Sequence, residues 1–402
     1  MFLEIILAIF IGLIIGTLTG ITPGIHINLV SAILLSFSAS LILHIPPLAL
    51  VVFLVTVAMT HTFVDFIPSI FLGAPNAEDN ALSILPGHEM LIKGKAYEAV
   101  VYTLYGSATA IFIILIFSPL FYFLLPTIYE HAEKIMPIIL ILTSGFLIYF
   151  EKKSKLWAII IFILSGVLGL SSLTLPLKEP LLPLFTGLFG ISSLITSISV
   201  KQKIPEQKIS KLKSIKISKE SYFKSTIASV LASPLCSFLP GMGSGQAAVI
   251  GSEIVGELNK KEFLILLGSI NTIVTGLSFI TLYTIGKART GVAAAIGEIL
   301  NLTLKDILVI TGVILIASIF SFIITLYLAK KFSLIITKIN YSKMSLFILS
   351  FLILINFIFS SWLGLLVLIV STLLGLTCIY AGIRRTHLMG CLIIPALILS
   401  LL

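Results

Sequence analysis

The chain has 402 residues, 58% hydrophobic and 11% charged, with a formal net charge of +9 and a mean hydropathy of +1.17. A soluble domain carries about a quarter charged residues, so this composition excludes an ordinary soluble enzyme or binding module. An outer-membrane barrel is excluded as well, because no run of alternating apolar and polar residues appears.

Apolar runs lie at about 2–43, 47–72, 98–125, 136–150, 157–173 and 181–200. They recur at about 225–258, 263–285, 306–329, 345–359, 361–381 and 387–402. Most are long enough to cross a hydrocarbon core of ~30 Å as helices, which predicts an all-α polytopic membrane protein. Residues 2–20 lack a basic n-region and a small-residue cleavage site, so a retained first span is expected there. Cys236, Cys378 and Cys391 have neither metal nor disulfide spacing and are expected to pack as small apolar residues.

The first run is interrupted at "LTGITPGIHIN", where Thr22, Pro23, Gly24, His26 and Asn28 stand in an otherwise apolar setting. The seventh is interrupted at "SFLPGMGSGQAA", with Pro240, Gly241, Gly243, Ser244 and Gln246. Proline removes a backbone donor and clashes with the preceding turn, and glycine makes leaving the helix cheap. Inside a bilayer, unpaired backbone groups are tolerated only where protein or water meets them. Two matching breaks therefore predict a cavity, with half-helix N-termini suited to an anionic ligand.

His61 and Asp65 in "MTHTFVDFIPSI" are four residues apart, hence on one helical face, and form a candidate ion- or proton-coupling pair. Asn271, Thr272, Thr275 and Ser278 form one polar stripe, read as a cavity lining or a helix seam. Asn271 and Arg289 join the candidate substrate-binding residues, Arg289 through its carboxylate-matching fork. Glu253 and Glu257 are expected at a solvated helix end. No nucleophile elbow, phosphate loop or metal-ligand cluster is visible, so neither an enzyme nor a bound cofactor is expected beyond a coupling Na⁺ or H⁺.

The positive charge is concentrated. Lys201, Lys203, Lys208, Lys211, Lys213, Lys216, Lys219 and Lys224 face only Glu206 and Glu220 in one short segment. Such a cluster between spans marks a cytoplasmic loop near anionic headgroups rather than a nucleic-acid surface. Placing it inside also puts Lys93, Lys95, Lys152, Lys153, Lys155, Lys260, Lys261, Arg384 and Arg385 inside, and leaves Lys134, Lys287 and Arg289 outside. The halves 1–200 and 225–402, joined by the basic linker 201–224, then have inverted topology. Each opens with a Pro-Gly-broken hairpin followed by about five spans. Inverted repeats with broken helices at matching positions point to a secondary transporter.

The stretch "SIFLGAPNAEDNALSILPGHEMLIKGKAYEAV" (69–100) resembles the large permease subunit of tripartite tricarboxylate transporters, the TctA family. Ser69, Ile70, Leu72, Pro75, Gly87, Met90, Gly94, Ala96 and Ala99 stand in the places of that pattern. Gly20, Pro23 and Gly24, and then Pro240 and Gly241, resemble its G-x-x-P-G segments. The likeness is nearest to a short, archaeal-type branch. It implies an ion-coupled carrier of citrate-like carboxylates in a prokaryotic plasma membrane. A small membrane subunit and an extracellular binding protein would be its partners, and a homodimer is left open. Two other readings stand beside it: a polyprenyl-phosphate translocase, and a non-transporting assembly subunit.

Overall fold

The computed structural model describes residues 2–23, 31, 34, 43–73, 78–149, 151–199, 204–238, 244–338 and 341–401. Within these the regular secondary structure is all helical, with no strand. Its helices are α1 (Phe2–Ile21), α2 (Pro47–Val64), α3 (Phe66–Leu72), α4 (Glu78–Ile92), α5 (Ala96–Tyr149), α6 (Lys155–Thr174), α7 (Leu181–Phe185) and α8 (Ser192–Ser199). They continue as α9 (Lys219–Phe238), α10 (Ser244–Ile254), α11 (Lys260–Ile285), α12 (Gly291–Ile299), α13 (Leu304–Ile336), α14 (Tyr341–Ala381) and α15 (Gly390–Leu401). Among the described residues, seven helical segments are long and apolar enough to cross a membrane.

Two of those spans form the centre. Over their most apolar stretch, Pro47–Leu72 is 83% buried and Lys260–Ile285 is 89% buried, against 22% for Phe2–Ile21. The sequence of α1 explains its peripheral place. Gly12, Gly16 and Gly20 recur every fourth residue and form one smooth stripe. A Cβ on them would meet Thr56 at 2.7 Å, Thr60 at 2.6 Å and Val64 at 2.8 Å in turn. The opposite face, with Phe10, Ile14 and Leu18, is exposed, as suits contact with lipid. Both residue numbers rise together along this contact, so α1 and α2 run parallel.

Helix α5 is 54 residues long, which would make a straight rod of about 81 Å. It does not cross once. Tyr102 lies beside Lys261, with Nζ 5.5 Å from the ring, at the start of α11. Tyr122 stacks on Tyr283, with centroids 6.0 Å apart, near the end of α11. Glu151, just past the end of α5, is back at Arg384. The element therefore goes out and returns, as the two runs 98–125 and 136–150 predict. Helix α14 likewise comprises two arms meeting at Ser361, whose φ of 56° is the one left-handed value among described non-glycine residues. That kink separates the runs 345–359 and 361–381.

Helices α5 and α11 cross without clearance. A Cβ on Gly106 would overlap the Ile265 carbonyl, and one on Gly268 would overlap that of Thr103. Ser107 Oγ donates to Gly268 O across this contact at 3.1 Å. Between α7 and α8, residues Thr186–Ile191 form a π-helical turn that lies against α14.

The loops assigned to one side by their charge do come together. Lys152 pairs with Glu257 at 2.9 Å, and Lys260 pairs with Glu89. Lys224 Nζ donates to Glu257 O at 2.7 Å. The Lys208 N–H donates to Gly94 O at 2.8 Å, docking the basic linker on the α4–α5 turn. Arg289 sits at the other end of α11, 5.3 Å from the Tyr129 ring.

Candidate functional site

The centre of the bundle holds a polar cluster at a helix break. Pro68 cannot donate to the carbonyl four residues back, and its ring crowds the Val64 carbonyl. Helix α2 accordingly ends at Val64 and α3 begins at Phe66, with Asp65 between them at φ −64°, ψ −17°. The Asp65 N–H still reaches His61 O at 2.9 Å, and Ser69 Oγ donates to Asp65 O at 3.1 Å.

His61 is 2% exposed and Asp65 1%. His61 Nε2 lies 4.0 Å from Asp65 Oδ2. From α11, Asn271 Nδ2 donates to Asp65 Oδ2 at 3.3 Å. Asn271 lies 11 residues past Lys260 in a 26-residue helix, about 16 Å from its start, close to the middle of the span. From α1, Thr19 Oγ1 is 3.2 Å from His61 Nδ1 and itself donates to Gly16 O at 3.2 Å. At the residue before His61, Ser321 Oγ of α13 donates to Thr60 Oγ1 at 3.0 Å. Side chains of α1 and α11 thus meet one ionisable pair, and α13 packs beside it. An ionisable side chain buried in a membrane is a functional candidate by default.

Thr19 stands three residues before Thr22, whose hydroxyl returns to Leu18 O at 2.7 Å, and four before Pro23, which follows the end of α1. The structure thus joins the entrance of the first Pro-Gly break, the His61–Asp65 pair and Asn271, three features far apart in sequence. Gly24, His26 and Asn28 lie outside the described residues. Arg289 is not brought to this cluster, since it lies at the end of α11 remote from the basic loops. The hydroxyls of the stripe Thr272, Thr275 and Ser278 turn back onto their own helix, donating to Gly268 O, Asn271 O and Thr275 O.

Two described helices flank the second break. Helix α9 enters from the basic end and α10 returns alongside it, with Gly251 against Ala228 O and Ala232. Helix α10 has 11 residues, about 16 Å, so it covers half a bilayer. Its first residue, Ser244, lies inside the span and its far end at Glu253 reaches the basic face. Pro240, Gly241, Gly243 and the side chain of Gln246 lie outside the described residues.

At that face lies a network with no sequence signature. Glu151 is 5% exposed. It accepts from the Lys153 N–H at 3.0 Å and the Arg384 N–H at 3.2 Å, and pairs with His387 Nε2 at 2.8 Å. Burial by itself raises the Glu151 carboxyl, but the hydrogen bonds from the Lys153 N–H, His387 and the Arg384 N–H outweigh it and bring it down to about 2. The Arg384 side chain reaches the other way, with Nη1 2.5 Å from Glu253 Oε1. Arg385 donates through Nη2 to Leu188 O, Phe189 O and Ser192 Oγ, each at 2.9 Å. These carbonyls belong to the π-helical turn, a feature that recurs at functional sites.

A many-spanned helical bundle with an ionisable pair at a central helix break, and a half-helix entering from one face, defines a membrane transport permease. The chain belongs to the tripartite tricarboxylate transporter TctA family, whose model matches residues 6–390. It is also similar to an uncharacterized protein of Methanocaldococcus jannaschii, with 33% identity over 407 residues covering 98% of each chain. No solved structure matches the chain.

Proposed function

We propose that this chain is a secondary active transporter that carries an organic anion of the di- or tricarboxylate class, driven by a cation gradient. The observation that carries this reading is the Asp65–Asn271 contact, which ties the break between α2 and α3 to the mid-span of α11, with Thr19 near the end of α1 on the adjacent His61. The two Pro-Gly segments would hold the carboxylates on backbone N–H groups. The His61–Asp65 pair would take the coupling ion.

Hydrogen-bond direction favours a proton as that ion. Thr19 donates to Gly16 O, so the Thr19 oxygen accepts from His61 Nδ1–H. In the neutral ring Nε2 then carries no proton and faces Asp65 Oδ2 at 4.0 Å. Protonation there converts a lone pair opposed to a carboxylate into an ion pair. Opposite polarity of the two halves is part of this proposal. It is supported by α1, which starts at the end away from the basic linker, and α9, which starts at it. The basic linker then faces the cytoplasm of a prokaryotic cell, and a small membrane subunit with an extracellular binding protein would deliver substrate.

The test is uptake of radiolabelled citrate, and of succinate in parallel, by proteoliposomes under an imposed proton or Na⁺ gradient. Gradient-driven accumulation that Asp65→Asn abolishes is the expected result. Uptake indifferent to both gradients, or to this substitution, overturns the proposal.

A further inference from the structure

A cavity of about 550 Å³ opens at the basic face between α4, α10 and the turn that carries Arg384, Arg385 and Thr386. Its size suits a small ligand. Four cations line it (Lys152, Lys260, Arg384 and Arg385) against three carboxylates, those of Glu89, Glu253 and Glu257. Each carboxylate has its own partner: Glu89 with Lys260, Glu257 with Lys152, Glu253 with Arg384. Arg385 makes no ion pair among the described residues; its donors go to carbonyls and hydroxyls of the π-turn region. The lining side chains thus number one more cation than carboxylates, and the buried Glu151 behind Arg384 offsets that difference.

Arg384 differs from the other cations. Glu151, only 2% exposed, holds it from behind, while its side chain stays 39% exposed to the cavity. The carboxylate on its open side comes from Glu253, 17% exposed, at the end of the half-helix that begins at the second Pro-Gly break. A guanidinium fixed on one side and reaching a single carboxylate on the other is the arrangement that recognises a carboxylate ligand.

We infer that this cavity is a second anion site, at the basic mouth, in which a carboxylate of a soluble di- or tricarboxylate replaces the Glu253 side chain on Arg384. Glu253 is the internal stand-in for the ligand when the cavity is empty. The inference rests on the carboxylate-transport reading above. It places a station about nine residues of α10 beyond Ser244, between the second break and the face. Because the half-helix carries Glu253, a ligand that displaces it also releases one tie between α10 and the Arg384 turn.

Calorimetric titration of citrate onto the full chain in phosphatidylcholine nanodiscs tests this without any transport step. Glu253→Ala removes the competing carboxylate and should tighten citrate binding by roughly tenfold or more. Arg384→Gln in the Glu253→Ala background should remove that gain. A merely structural ion pair would give no gain in either variant. Unchanged or weaker citrate binding by Glu253→Ala overturns the inference. So does a gain that survives Arg384→Gln. A parallel titration in nanodiscs containing phosphatidylglycerol identifies a lipid headgroup as occupant if the lipid binds and citrate does not; that outcome also overturns it. Asn271→Ala should leave the gain intact, so failure of the central site is read separately from failure of this one.

Discussion

Asn271 of α11 and Asp65, at the junction of α2 and α3, are 206 residues apart in sequence, yet a 3.3 Å hydrogen bond joins them in the interior of the bundle. Both side chains are polar, both are more than nine-tenths buried, and each belongs to one of the two spans most enclosed by protein. Isolated in hydrocarbon, either group would be costly. Together each supplies the other's partner.

Asn271→Ala removes the donor to Asp65 Oδ2 and leaves a buried carboxylate short of a partner. Gradient-driven citrate uptake is expected to fall by about tenfold or more, with a loss of about 1–3 kcal/mol in stability. Uptake rate and thermal unfolding of the same preparation check both.

His61→Gln keeps a side chain near Thr19 but removes the titrating ring. The expected outcome is loss of proton-driven accumulation, while citrate exchange between equal pools persists. Counterflow and gradient-driven uptake, measured side by side, separate the two. Loss of both together would assign His61 to the substrate rather than to the ion.

Gly16→Leu drives a side chain into Thr60, where even a Cβ would lie 2.6 Å from its neighbour. Overpacking of this kind costs about 1–3 kcal/mol, and here it also separates Thr19 from His61. A lowered unfolding temperature in detergent is expected. Gly145→Ala is the matched control, since a Cβ there meets nothing within 4 Å, and it should be neutral or slightly stabilising.

Glu151→Gln keeps one acceptor oxygen but removes the charge and the second oxygen that His387 and the Arg384 and Lys153 N–H groups share, and weakening these charge-assisted bonds is expected to cost about 1–3 kcal/mol. The pH dependence has a definite sign. The folded carboxyl, at about 2, holds its proton less tightly than the ordinary value of 4.5. The stabilisation is therefore complete above about pH 4.5 and is lost progressively as pH falls toward 2. Unfolding temperature against pH should lose that acid-side component in the variant.

Much of the site was legible in part. His61 and Asp65 announced themselves because charge is conspicuous in an apolar run, and Pro23 and Pro240 because each is followed by glycine and polar residues. The "GLIIGTLTG" stripe was also there to read, with glycines every fourth residue, but which helix it faces depends on a partner 44 positions away. Glu151 gave no signal at all. It stands among Lys152, Lys153 and Lys155, where an acid looks like a solvated neighbour, and only the return of the chain at Arg384 buries it. Arg289 shows the same limit: its chemistry suits a carboxylate, but only the fold places it beside Tyr129, away from Asp65 and Asn271.

The sequence by itself determined that this chain is all-helical with many spans long enough to cross a membrane, and which loops share a face. Those properties follow from hydropathy and from the distribution of lysine and arginine, which act locally along the chain. Tertiary structure alone decided that Asp65 meets Asn271, that Thr19 meets His61, and that Glu253 reaches Arg384. Those pairings depend on which helices lie side by side and in what register. That is fixed by close approaches such as Gly106 on α11 and Gly16 on Thr60, where the absence of a side chain lets two distant segments touch.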